Sequence, residues 1–218
     1  SAEETAAFAV LSACAAAAQL FKVDAPSQHS YHTTPAFLLA AVLLLNPSLL
    51  VLLALIIMLP EWVRYRYPWY KQTFNIATYL LNVLAAWLVF QAVAGQGGLG
   101  VSWQVALATV LAAATFTLTN HLMVGLVLWL GRGIPFRDSR VFAWDSLETD
   151  ATLLFLGAGM AVFWTINPPL LALGAVPLLL LYRALRVPQL QEEAYVDVKT
   201  GLLTTRRFNE MLREEVAK

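Results

Sequence analysis

A chain of 218 residues that is 59% hydrophobic and 13% charged, with a mean hydropathy of +0.65 and no formal net charge, is too apolar for an ordinary soluble domain. Such domains carry roughly 25% charged residues. Several apolar runs approach the roughly 20 helical residues that cross a hydrocarbon layer, so the composition implies an all-α integral membrane protein. A single cysteine, Cys14, excludes an internal disulfide.

In chain order the apolar runs predict a six-helix transmembrane bundle with spans at about 5–21, 35–59, 73–94, 102–130, 150–166 and 168–185. The first run is alanine-rich and has no basic flank before it, so it does not have the pattern of a cleavable signal peptide. The loop after it contains His29-Ser-Tyr-His32, set between Pro26 and Pro35. With no third ligand beyond Asp24, that loop reads as an exposed polar segment rather than a metal site. The second and fourth runs exceed a simple span, and each is expected to be kinked or split, at Asn46-Pro47 and at Thr119-Asn120-His121. Proline lacks the backbone donor and clashes with the preceding turn, so a carbonyl near Val42 and Leu43 should be freed. Irregular backbone at that depth survives only inside protein or beside a cavity. Residues 61–71 interleave Trp62, Tyr65, Tyr67, Trp69 and Tyr70 with Arg64, Arg66 and Lys71. Between two spans this is an interfacial belt, not a nucleic-acid surface. The glycine-rich stretch 95–100 is a flexible turn and no nucleotide cradle.

Orientation follows from the cations. Thirteen of the fourteen Lys and Arg residues fall in the loops after the second and fourth spans or in the C-terminal end, and Lys22 alone falls opposite. The positive-inside rule then places both termini in the cytoplasm of a bacterial inner membrane protein.

Polar residues inside the spans are few. Asn75, Thr78 and Asn82 share one stripe of the third span, Asn120 and His121 sit in the fourth, and Asn46 marks the break in the second. Intramembrane polar and ionisable groups either hydrogen-bond across helices or bind a ligand. A polar pocket between the second, third and fourth spans makes these six residues the candidate ligand-binding set. Phe74, Trp87 and Phe116 are its candidate apolar wall. The chain shows no nucleophile–base pairing, no catalytic residue and no metal motif.

From Gln189 the sequence becomes water-soluble. Asp197, Thr200, Gly201, Leu202, Arg206, Phe208 and Leu212 fall in the pattern D-x-L-T-G-L-x-N-R-R-x-F-x-x-x-L, with Lys199, Thr204 and Thr205 departing from it. This segment resembles the opening of a GGDEF (diguanylate cyclase) domain. The resemblance implies a 1–187 membrane sensor domain, a 188–196 cytoplasmic linker helix begun where Pro188 ends the sixth span, and the first helix of a GGDEF domain at 197–218. It implies a structural ion pair between Asp197 and Arg206 and a homodimer as the signalling unit. It also implies GTP and Mg as cofactors of a catalytic part that lies outside these residues, since the Gly-Gly-(Asp/Glu)-Glu-Phe turn is absent from them; the chain itself would be inactive. More weakly, the six-span outline is similar to the vitamin-binding membrane subunits of energy-coupling-factor transporters, an architectural likeness only. The functional expectation is a ligand-binding sensor controlling a diguanylate cyclase in cyclic-di-GMP signalling, with the lipid bilayer and an unidentified small molecule as partners. The alternatives are a transport-type solute-binding protein and a plain membrane anchor or dimerisation module.

Overall fold

The computed structural model describes residues 1–21, 23–24, 30–95, 99–100, 102–193, 202, 204, 205, 208, 211 and 212. They fall into two compact units, Ser1–Phe21 with His32–Leu178, and Lys22–Tyr31 with Leu179–Lys218. The helices are α1 (Ala2–Leu20), α2 (Thr34–Leu44), α3 (Pro47–Ile56), α4 (Met58–Tyr65), α5 (Trp69–Ala94), α6 (Trp103–Arg132), α7 (Trp144–Ile166) and α8 (Leu171–Glu193), with a 3-10 turn at Pro168–Leu170.

Local chemistry sets several of the helix starts. Ser1 caps α1, accepting from the Glu4 amide at 3.2 Å while the Glu4 side chain reaches back to the N-terminal amine, a capping box. Asn46 and Ser102 cap α3 and α6 in the same way, through the amides of Leu49 and Val105.

At the centre of the first unit lies α2, apolar on every side. Every residue from Ala36 to Leu43 is buried, as expected of a helix enclosed by others. It packs most extensively on α7 and then on α1, with α5 also against it. Its contact with α7 is backbone-close, because Gly157 lies against the Ala36 carbonyl with no room for a Cβ. Small residues allow this kind of approach between membrane helices.

The expected second span is not one crossing. Pro47 does not interrupt a helix; it occupies the first turn of a new one, where a missing N–H costs nothing. The chain reverses at Leu45 and Asn46. Two sets of hydrogen bonds to α1 establish the reversal. The Asn46 amide donates to Glu4 Oε1 at 2.9 Å, near the start of α1. Thr34, at the start of α2, and Glu61, in α4, both meet Gln19 near the end of α1. So α2 rises along α1, and α3 with α4 descends beside it. The N terminus therefore lies at the end opposite Glu61, which corrects the expectation that Ser1 shares a side with the Arg64–Arg66 loop. The fourth expected span is likewise corrected on splitting: α6 is uninterrupted through Thr119, Asn120 and His121. The Thr115 and Thr119 hydroxyls bond carbonyls of their own helix instead of ending it.

Among the described residues, four helices are long and apolar enough to cross a membrane: Pro47–Tyr65, which joins α3 and α4, and α5, α6 and α7. In none is more than 33% of the apolar window buried within the protein, which leaves wide apolar faces for lipid. The remaining apolar helices fall short for physical reasons. Alanine, Glu3, Glu4 and Gln19 dilute α1; α2 has 11 residues, about 16 Å at 1.5 Å each; and the run Pro168–Ala184 is also short.

In the second unit, β1 (Val23–Asp24) pairs antiparallel with β2 (Ser30–Tyr31). The helix α8 continues to Glu193, so Pro188 does not end it. Arg186 donates to the Tyr182 hydroxyl at 3.2 Å, one turn back. Asp197 and Arg206, the expected hinge pair, lie outside the described residues, as does His29.

Candidate functional site

An unusual density of buried polar side chains occupies the interior of the first unit, toward the end where α1 finishes and α2 begins. Gln19 is its hub. The Thr34 hydroxyl donates to Gln19 Oε1 at 2.8 Å, and Gln19 Nε2 donates to Glu61 Oε2 at 3.3 Å and approaches Met58 Sδ at 3.9 Å. The amide thus accepts through its oxygen and donates through its nitrogen. Glu61 is 6% exposed. Gln72, on the next helix, donates to the Met58 carbonyl at 3.1 Å.

Two turns further along α5, Tyr79 joins the cluster. Its hydroxyl lies 2.9 Å from His32 Nε2. It also neighbours Gln19. His32 is therefore part of the protein interior, not of an exposed polar loop. Beyond Tyr79, Asn82 is fully buried and donates through Nδ2 to Asn120 Oδ1 at 3.1 Å, tying α5 to α6.

The adjoining residue of α6, His121, makes the other junction. Its Nδ1 bonds the Val141 carbonyl and its Nε2 lies 2.8 Å from Asp150 Oδ2 on α7. A carbonyl can only accept, so Nδ1 carries a proton. Nε2 and the carboxylate then share a second proton, as imidazolium with carboxylate or as imidazole with carboxylic acid. The Phe142 ring stacks on the imidazole at 5.5 Å. The residue before Val141, Arg140, takes a left-handed φ of 53°, which is uncommon for a side chain of its size.

Of the sequence-predicted set, the structure brings together Asn82, Asn120 and His121, with Thr78 buried one turn before Asn82 and Asn75 half-buried earlier on the same helix. Asn46 does not belong. It is exposed at the opposite end, and its side chain is spent on capping α3. Phe116 is buried in the core, whereas Phe74 and Trp87 are half-buried. Sequence reasoning missed Gln19, Thr34, Glu61, Gln72, Tyr79 and Asp150. Gln19 had a readable signal, as an amide in an alanine-rich helix; Glu61 was hidden in the aromatic–basic belt and Asp150 at a span boundary.

Three buried oxygens in this region have no hydrogen-bond partner among the described residues: Gln72 Oε1, Thr78 Oγ1 and Asn82 Oδ1. All three come from α5. An unmatched buried acceptor costs roughly 1–3 kcal/mol, so a row of them on one helix asks for an occupant. No group of three or more His, Cys, Asp or Glu residues able to hold a metal occurs among the described residues. The chain matches no protein-family model, no curated protein and no solved structure.

Proposed function

We propose that this chain is a membrane-embedded ligand-binding sensor domain, set in a bacterial inner membrane and controlling a C-terminal diguanylate cyclase. One observation carries the ligand-binding part: the unmatched oxygens of Gln72, Thr78 and Asn82 inside an otherwise apolar bundle. The same interior holds the buried carboxyl of Glu61. The Gln72 and Asn82 oxygens can only accept, the Thr78 hydroxyl can do either, and Glu61 is a buried acid outside the His121–Asp150 pair, so the ligand is a small hydrogen-bond donor, of the protonated amine class. Waters alone would satisfy the same atoms in a plain anchor, and that is the competing outcome.

The cyclase part derives from the resemblance of the 197–212 segment to a GGDEF opening. In this proposal α8 carries the signal toward that domain, and a homodimer is the signalling unit. The loops bearing Arg64, Arg66, Lys71, Arg132, Arg137 and Arg140 face the cytoplasm, and Ser1 faces away from it.

Native mass spectrometry of the chain, extracted gently from its own membranes, tests the proposal. The expected result is a co-purifying small molecule with an exchangeable amine, retained by the wild type. Asn82→Leu and Thr78→Val should each weaken its retention by about tenfold, the worth of one charge-assisted bond of about 1.4 kcal/mol. Full retention by both variants, or no retained molecule in the wild type, defeats the ligand-binding reading and leaves the polar row as interhelical glue.

A further inference from the structure

A second site lies on the outside of the bundle. The helices α6 and α7 are joined at one end by His121 and Asp150 but share little contact elsewhere. Between them opens a cleft of about 550 Å³, floored by Leu39 of α2 and walled by small residues such as Ala113, Ala114 and Ala151. That volume is in the range of ligand pockets, roughly 300–1,000 Å³. Its only side-chain hydroxyls are Thr109 and Thr117, and the Thr109 hydroxyl is already bonded to the Val105 carbonyl. Its rim residues Val110, Leu118 and Phe155 are 64%, 52% and 79% exposed, on helices apolar enough to lie in hydrocarbon. The cleft therefore opens sideways into lipid, not into water.

Its length and its ends identify the occupant. On α6 it runs from Thr109 to Leu118, about 14 Å at 1.5 Å per residue, close to one leaflet of a hydrocarbon core about 30 Å thick. One end is open in the bilayer. The other is closed by Phe142 and Leu147, where the connection between α6 and α7 runs into α7. That connection presents Arg137 and Arg140, both exposed, and Arg140 holds the left-handed conformation that sets Phe142 over His121. Strained backbone of this kind persists where its surroundings fix it, and it concentrates at binding sites. An apolar slot about one leaflet long, beside a connection that carries two exposed cations, matches an anionic amphiphile.

We propose that the α6–α7 cleft holds one acyl chain of an anionic phospholipid, with the phosphate at Arg137 and Arg140. The lining of this site shares no residue with the polar interior's hydrogen-bonded cluster. Phe142 links the two, because one ring closes the cleft and stacks on the imidazole that pins α6 to α7. Occupancy of the cleft thereby bears on the His121–Asp150 junction.

Native mass spectrometry of the full chain, released from bilayer discs made of dioleoylphosphatidylglycerol and dioleoylphosphatidylcholine in equal amounts, tests this. The wild type should retain one phosphatidylglycerol, preferred at least tenfold over phosphatidylcholine. Ala114→Trp, which fills the cleft, should abolish retention. Arg137→Gln combined with Arg140→Gly, the glycine keeping the left-handed backbone, should bring the two lipids toward parity. Leu88→Trp, on the exposed face of α5, should change nothing. Ala158→Leu narrows the cleft by less and carries the same test if Ala114→Trp does not fold. Equal retention of the two lipids by the wild type overturns the proposal, as does phosphatidylglycerol retention by folded cleft-filled variants at the wild-type level.

Discussion

At the residue scale, Gln19 has the greatest consequence per atom. Its amide bridges the Thr34 hydroxyl and the Glu61 carboxylate where water is scarce. Gln19→Leu keeps the volume approximately and leaves both partners short of a bond. Thermal unfolding in detergent should show a loss of about 1–3 kcal/mol. Gln19→Glu should be worse than Gln19→Leu, since it places a second carboxylate beside Glu61. A different residue governs the opposite end. Glu4 lies ahead of the apolar run, and the Asn46 backbone amide holds its carboxyl below the ordinary value of 4.5, against partial burial and with help from the terminal ammonium. A depressed carboxyl stabilises the fold above its unfolded pKa and loses that contribution as pH falls through the folded value. The stability difference between wild type and Glu4→Gln should therefore be constant from neutral pH down to about 4.5 and shrink below it, as pH-dependent unfolding would record.

Elements are held by a few close approaches. Gly157 allows α7 to sit on the Ala36 carbonyl, and a Cβ there would lie 2.2 Å from a backbone oxygen that cannot turn aside. A Cβ at Gly174, in α8, would lie 2.4 Å from Met160 Cγ, but methionine has rotamers to spare. Gly157→Ala should cost about 1–3 kcal/mol by forcing α2 and α7 apart, and Gly174→Ala should cost clearly less, as parallel thermal melts would show. The contrast between α3 and α6 follows the same logic of local partners. Asn46 and Pro47 start a helix because one caps and the other needs no donor. Thr119, Asn120 and His121 continue one because their side chains bond within α6 or to its neighbours, and the backbone ladder is left intact.

Across the whole of the first unit, the reversal at Asn46 sets which loops share an end. Ser1 and Asn46 lie together, and Glu61 lies at the far end of α1. In a Cys14→Ser background, Ser1→Cys and Arg66→Cys should react with a membrane-impermeant maleimide from opposite sides of intact cells and inverted vesicles. Labelling from the same side would restore a single crossing by residues 35–59.

The sequence determined the solvent of this protein. With 59% hydrophobic residues and apolar runs near the span length, only a helical membrane arrangement satisfies the backbone. It also marked the third and fourth spans within a few residues, because Ser102 caps the fourth and Gly95 and Gly133 follow their ends, and it singled out Asn82, Asn120 and His121, because polar groups are rare at that depth. Tertiary structure decided the rest. Hydropathy is a property of segments, so a continuous apolar run reads the same whether it crosses once or folds back on itself. Only the bonds from Glu4 and Gln19 to distant backbone and side chains distinguish the two. The interior site was hidden for a related reason. Gln19, Glu61, Gln72 and Asp150 lie near the ends of their segments, where polarity is ordinary in sequence, and packing four helices together is what removes them from water.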